Sequence, residues 1–290
     1  MQAHADLIRD IDATVTAPGQ VALWWLGQHG FVVKGGGTVV YLDPFLTPLE
    51  GRLVPPLLRP EEVTNAAAVC GSHDHADHID RPAWPAMAQA SPRARFVLPA
   101  AVRDAVLGDL GLPADRVVGL DAGAVARLDA AAIMAVPAAH EFLDCDPATG
   151  RFPYLGFVVR LNGFTLYHAG DSCLYEGIHD WLRRWPPDAM LVPINGRDAQ
   201  RLAAGCIGNM TYQEAADLAG ALRPRLVIPT HYDMFAGNLG DPAAFAAYVR
   251  VKYPNLAVHV CGYGERVMCD SNSHYGRPPA ALCGRSRRLA

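Results

Sequence analysis

The segment 71–80, GSHDHADHID, carries three histidines and two aspartates within six positions: His73, Asp74, His75, Asp77 and His78. Neutral imidazole nitrogen and carboxylate oxygen are the donors that borderline divalent metals favour. An apolar run at 67–72, AAVCGS, points straight at this cluster. A strand ending there aims His73 and His75 the same way, because alternate side chains share a face. Asp77 and His78 then lie a turn further on and can serve a second ion. The chemistry on offer is metal-assisted hydrolysis.

The elements that must position these residues are readable as alternating β-prone and helical stretches. Strands are predicted at 21–26, 31–33 and 38–42, with the triple glycine 35–37 as a hairpin loop. Further strands are predicted at 95–98, 116–119, 131–136, 156–161, 164–168, 188–193, 225–229 and 257–260. Helices are predicted at 82–90, 99–110, 211–222 and 241–252. Thr211 with Glu214 forms a capping-box pattern, and Asp241 precedes Pro242. Hairpins mixed with βα units imply mixed sheets. One domain over 1–269 is expected, with 1–19 as an amphipathic helical extension. The segment 270–290 is polar and basic and reads as a mobile tail.

His-x-His-x-Asp-His resembles the signature of the metallo-β-lactamase superfamily. Three later segments match its remaining ligand positions: His140 in VPAAHEF, Asp171 in LYHAGDS and His231 in VIPTHYDMF. The resemblance runs from about residue 20 to about 265. It is most similar to the L-ascorbate-6-phosphate lactonase-like branch, through VALWWLGQHGF, TVVYLDPFL, PINGRD, GNMT and VIPTHYDMFAGN. The resemblance implies an α/β fold, a four-layer αββα sandwich with two mixed β-sheets. It implies His73, His75 and His140 on one metal, Asp77, His78 and His231 on a second, and Asp171 bridging both. Two divalent ions, zinc or manganese, are expected, since no cysteine among these ligands demands zinc.

The implied reaction is lactonase-like. A metal-bound hydroxide opens a lactone or ester bond of a small anionic substrate, a sugar phosphate for example. Asp171 and Asp77 are the catalytic residues, with Asp77 able to shuttle a proton. A phosphodiesterase and a non-catalytic metal-binding protein are the alternatives. Arg197 is expected to clamp an anion in a bidentate way. Asn195 and Tyr232 are further substrate contacts, and Asp43 and Asp74 are expected to hydrogen-bond the ligands. His29 and His168 have no assigned role.

Composition limits the alternatives. The 290 residues are 51% hydrophobic and 19% charged, which excludes wholesale disorder. The formal net charge is −4 and no Lys/Arg run precedes the last few residues, so nucleic acid is not an expected partner outside the phosphodiesterase alternative. No run approaches the length of a membrane span, and no signal peptide is evident, so the cytoplasm is expected. Seven cysteines without a C-x-x-C pair read as free thiols. Homo-oligomerisation is left open by the resemblance.

Overall fold

The computed structural model describes residues 2–271, and their apolar runs build fourteen strands and seven helices. The strands are β1 (Gln20–Gly27), β2 (Gly30–Gly35), β3 (Thr38–Leu42), β4 (Ala68–Cys70), β5 (Arg95–Pro99), β6 (Val117–Leu120), β7 (Val125–Leu128), β8 (Ala131–Pro137), β9 (Leu155–Leu161), β10 (Phe164–His168), β11 (Ala189–Pro193), β12 (Leu226–Thr230), β13 (Ala257–Val258) and β14 (Arg266–Asp270). The helices are α1 (Gln2–Ala13), α2 (Trp84–Ala90), α3 (Arg103–Leu110), α4 (Ile178–Arg183), α5 (Ala199–Ala203), α6 (Tyr212–Leu222) and α7 (Pro242–Lys252). Two seven-stranded sheets result, ordered β14-β1-β2-β3-β4-β5-β6 and β13-β12-β11-β10-β9-β8-β7. Each is mixed, antiparallel on one side and parallel on the other.

The period-two alternation of strands divides the apolar residues between two layers of packing. In the first sheet Leu23, Phe31, Val33, Leu42 and Val97 join Ile133, Phe157, Leu166 and Ile228 of the second sheet in one core. Their neighbours Trp24, Val32, Tyr41 and Phe96 face the other way. They pack against Leu7 and Ile11 of α1, Trp84 and Met87 of α2, and Val106 of α3. Phe245 and Val249 of α7 and Ala215 and Leu218 of α6 cover the second sheet. The layers run helix, sheet, sheet, helix, as the resemblance implied.

Four elements were not visible as periodic runs. β7 and β14 are partly exposed edge strands whose patterns are weak. α4 and α5 are six and five residues long. α1 is more than an appended extension. The Trp24 indole donates to Asp10 at 2.8 Å, and the Lys34 ammonium donates to the Ile11 and Asp12 carbonyls. The expected tail begins inside β14, which pairs with β1, and its part from 272 on lies outside the described residues.

Strand ends of both sheets meet along one edge. The Asp43 N–H donates to the Cys70 carbonyl, tying the end of β3 to that of β4. The Leu155 N–H donates to the Ser72 carbonyl, and the His231 N–H donates to the Gln28 carbonyl, so each bond joins one sheet to the other. Gly170 makes the closest approach. A Cβ there would sit 2.4 Å from the Leu155 carbonyl and 3.0 Å from the Ser72 Cβ, at φ +61°. Only glycine fits both the space and the left-handed backbone. That approach brings the loop after β4 against the turn carrying Asp171.

Candidate metal centre

All seven residues of the expected cage meet at this edge. His73, His75, Asp77 and His78 lie in the loop after β4, His140 follows β8, Asp171 follows β10 and His231 follows β12. Their donor atoms fall into three groups within 4.8 Å of one another: His73, His75 and His140; His73, His78 and Asp171; Asp77, His78 and His231. Asp171 groups with His73 of the first set and His78 of the other, and its Oδ1 lies 3.3 Å from His78 Nε2 and its Oδ2 3.2 Å from His231 Nε2. His73 Nε2 and His75 Nδ1 are 2.9 Å apart.

The donors fit a cation. His78 Nε2 and Asp171 Oδ1 are buried and lack a hydrogen-bond partner. Orphaned buried polar atoms are costly unless something satisfies them. Convergent nitrogen and oxygen lone pairs without sulfur suit zinc or manganese alike.

Strain is concentrated here. Gln28, Asp43, Glu141 and His231 all have left-handed backbones, at φ +53°, +43°, +72° and +56°. Such conformations cost on the order of 1–3 kcal/mol each and persist where the surroundings over-determine them.

Hydrogen bonds around the cage orient it. Asp43 is fully buried and accepts from Ser72 N at 2.8 Å and Ser72 Oγ at 2.7 Å. Its Oδ2 lies 2.5 Å from His78 Nδ1, which leaves Nε2 to face the cavity. Gln28 Nε2 donates to Asp77 Oδ2 at 2.8 Å and lies 3.0 Å from His231 Nε2. The backbone N–H of Gln28 donates to Asp233 Oδ1. Sequence reasoning passed over Gln28 and Ser72. The available signals were the tight Gly27–Gly30 turn and the position just before the first motif histidine.

Several expected roles are corrected. Asp74 turns away from the cage to Arg81, which it meets at 2.5 and 2.8 Å. Arg197 is not a free anion clamp. Its two terminal nitrogens each donate to Glu214 at 2.7 Å, a fork geometry that satisfies both partners. Asn195 has both ends of its amide occupied, donating to Asn238 Oδ1 and accepting from Asn209, so it braces loops. Tyr232 packs on Trp25 with ring centroids 5.3 Å apart and belongs to the apolar core. The phenol beside the cage is Tyr154, whose ring is 5.2 Å from His140 and 5.4 Å from His73. His168 donates from Nε2 to the His29 carbonyl at 2.8 Å, and the two rings lie 3.9 Å apart behind His78 and His231.

The electrostatics divide the cage. Burial pulls His140 down to about 4 and holds His73 well below the usual imidazole range, so both are neutral near pH 7. Burial acts the same way on His231, but the Asp171 and Asp77 carboxylates outweigh it and push it up to about 10. His78 is likewise raised against burial by Asp171, Asp77 and Asp43. Burial would raise Asp171 and Asp77, yet these imidazoles hold both carboxyls well below the usual carboxylate range.

A ligating histidine must be neutral, so a cation competes with protons at His78 and His231 but not at His73 and His140. The His73–His75–His140 group is therefore expected to load at lower pH than the Asp77–His78–His231 group. Metal stoichiometry after equilibration at pH 5 to 9 should rise from about one ion to about two with pH. Two ions retained equally at both ends would contradict the division.

A four-layer fold with a histidine–aspartate cage at the sheet edge defines a class, the metal-dependent hydrolases of the metallo-β-lactamase fold. The sequence family described as "Beta-lactamase superfamily domain" matches residues 38–232, and the chain belongs to that superfamily. A UPF0173 metal-dependent hydrolase from Pyrobaculum arsenaticum is 29% identical over 230 residues, covering 78% of this chain and 90% of that one. A second, from Hyperthermus butylicus, is 28% identical over 228 residues, 78% of this chain and 89% of its own. Among solved structures, the metallo-hydrolase Igni18 from Ignicoccus hospitalis superposes with TM-score 0.66 at 24% identity, covering 87% of this chain and 99% of that one. An isothiocyanate hydrolase from Delia radicum gut bacteria superposes with TM-score 0.64 at 16% identity, over 85% and 98%. These likenesses to solved structures concern the fold. Among the described residues no helix is long and apolar enough to cross a membrane.

Proposed function

We propose that this hydrolase opens a lactone or related ester bond of a small molecule. His73, His75, Asp77, His78, His140, Asp171 and His231 hold two divalent ions, zinc or manganese. The observation that carries the reading is that Asp171 groups with His73 of one set and His78 of the other, while His78 Nε2 and Asp171 Oδ1 are buried without a hydrogen-bond partner. When bound, such an ion pair lowers the pKa of a shared water and polarises a carbonyl.

The chain's own residues supply the rest. Asp43 and Gln28 hold His78, Asp77 and His231 in place. The Tyr154 phenol lies beside His140 and His73, is raised above the ordinary tyrosine value by burial, and can give a proton to a departing ring oxygen. Free cysteines, among them Cys70, Cys173 and Cys261, support a reducing compartment such as the cytoplasm.

The test is metal analysis of protein purified without added metal, followed by turnover on lactone, thioester and phosphodiester panels with zinc or manganese. Lactones or esters should be turned over well above bis(p-nitrophenyl) phosphate. The opposite ranking would make the protein a phosphodiesterase. Tyr154→Phe should lower kcat for a lactone by roughly 10²-fold, with KM and metal content unchanged.

A further inference from the structure

A cleft of ≈ 150 Å³ adjoins the metal centre, lined by Glu141, Arg197, Leu202, Cys206, Ile207 and Gly208, together with Asp198. Its walls are fastened to the cage. Glu141 directly follows His140. The Cys173 N–H, two residues beyond Asp171, donates to the Ala139 carbonyl at 2.7 Å, and the Met210 N–H donates to the Ser172 carbonyl. Cys173 Sγ rests 3.8 Å from the Gly208 carbonyl. A substrate whose reacting carbon sits at the cage therefore extends a neighbouring group into this cleft.

The charges of the cleft are committed elsewhere. Arg197 is forked onto Glu214, which is also held by the Thr211 N–H and hydroxyl. Asp198 caps α5 by accepting from Arg201 N and lies 3.4 Å from the Arg201 guanidinium. The Glu141 carboxylate has no ion pair among the described residues, so the balance facing a ligand is negative. The rim is apolar. Phe142 is 68% exposed, Leu202 55% and Leu174 37%. Of these, Leu202 lines the cleft itself, with Ile207 beside it, while Phe142 bridges to His140 and Leu174 follows the residue bridged to Ala139. Exposed large apolar side chains grouped at a site mark a binding surface.

We propose that this cleft is a specificity subsite for an uncharged alkyl or aryl group of the substrate, and that it selects against anionic groups such as phosphate. The proposal rests on the metal-centred reading of the cage and replaces the anionic substrate expected from the sequence. A phosphate or carboxylate placed here meets Glu141 and a guanidinium already neutralised. An alkyl chain meets Leu202 and Ile207 and leaves every existing ion pair intact.

The experiment uses the zinc-loaded full chain and straight-chain hydroxamic acids, which anchor on metal through the hydroxamate and project their chains, with affinity read by calorimetry. From aceto- to hexanohydroxamic acid the affinity should rise about thirtyfold, roughly the value of burying four methylenes in part. Leu202→Asp, at an exposed position, should cut that gain to about threefold or less. The monohydroxamate of succinic acid should bind at least about tenfold more weakly than butanohydroxamic acid. Glu214→Gln keeps a capping side chain but frees Arg197, and it should recover most of that tenfold without changing hexanohydroxamate binding. A flat chain-length series, equal binding of the succinyl compound to the unaltered protein, or no hydroxamate binding at all would overturn the subsite. A rising series with no lactone or ester turnover would instead sink the reaction proposed above and leave the subsite standing.

Discussion

Asp171→Ala is expected to lower metal-dependent turnover by roughly 10³-fold or more, the largest single-residue effect at the site. Its donor atoms group within 4.8 Å with His73 of one half of the cage and His78 of the other, so one carboxylate can serve both halves. Deleting it removes a negative charge that two cations would share, and the ions would then repel one another without compensation. Metal content separates this from misfolding. A folded variant retaining less than one ion per chain, by elemental analysis beside an unchanged circular dichroism spectrum, is the expected result. Asp171→Asn keeps the volume but not the charge, and it should behave nearly as badly. Full turnover in either variant would remove Asp171 from its bridging role.

Asp43 yields the second large effect, on stability as well as on metal. The carboxylate is fully buried and satisfies Ser72 N, Ser72 Oγ and His78 Nδ1 at once. Asp43→Ala strands those donors and opens a polar void, at a cost of about 3–5 kcal/mol. For a domain of this size that corresponds to a fall in Tm of roughly 6–15 °C. Asp43→Asn retains an acceptor for the Ser72 N–H and should recover much of the stability. It lacks the negative charge that favours a proton on His78 Nδ1, so metal affinity should remain down by about 10- to 100-fold. Restored stability with undiminished metal affinity would show that Asp43 serves only the turn between β3 and Pro44. The asparagine variant is therefore the informative one, since a simple structural role and an orienting role predict different metal affinities.

Much of the cage was legible because each donor sits just beyond a β-prone run. Its residue type and the period of the strand are both local properties. His73, His75 and His78 follow β4, His140 follows β8, Asp171 follows β10 and His231 follows β12. The misreadings share a different cause. Arg197 looked free because the carboxylate that holds it, Glu214, is seventeen residues on and was already assigned to the capping box of α6. In the structure Glu214 does both. Asp74 sits between two motif histidines, yet the loop after β4 turns it to Arg81 and away from the cage. Tyr232 follows a ligand histidine, but the left-handed backbone of His231 redirects the chain and sends the phenol ring onto Trp25.

By itself the sequence determined donor chemistry and approximate strand ends, hence a nitrogen–oxygen metal site on a layered α/β scaffold. Those features depend on residue type and on repeats of two and 3.6 residues, which act within a few positions of the chain. Tertiary structure alone decided which polar groups share a partner. Gln28 reaches Asp77 across 49 positions, Asp43 reaches His78 across 35, and the cleft beside His140 is walled by residues from 197 to 208. Such pairings arise only when loops far apart in the chain are brought together by the folded sheets. The anion clamp expected at Arg197 is a guanidinium paired with Glu214 for the same reason.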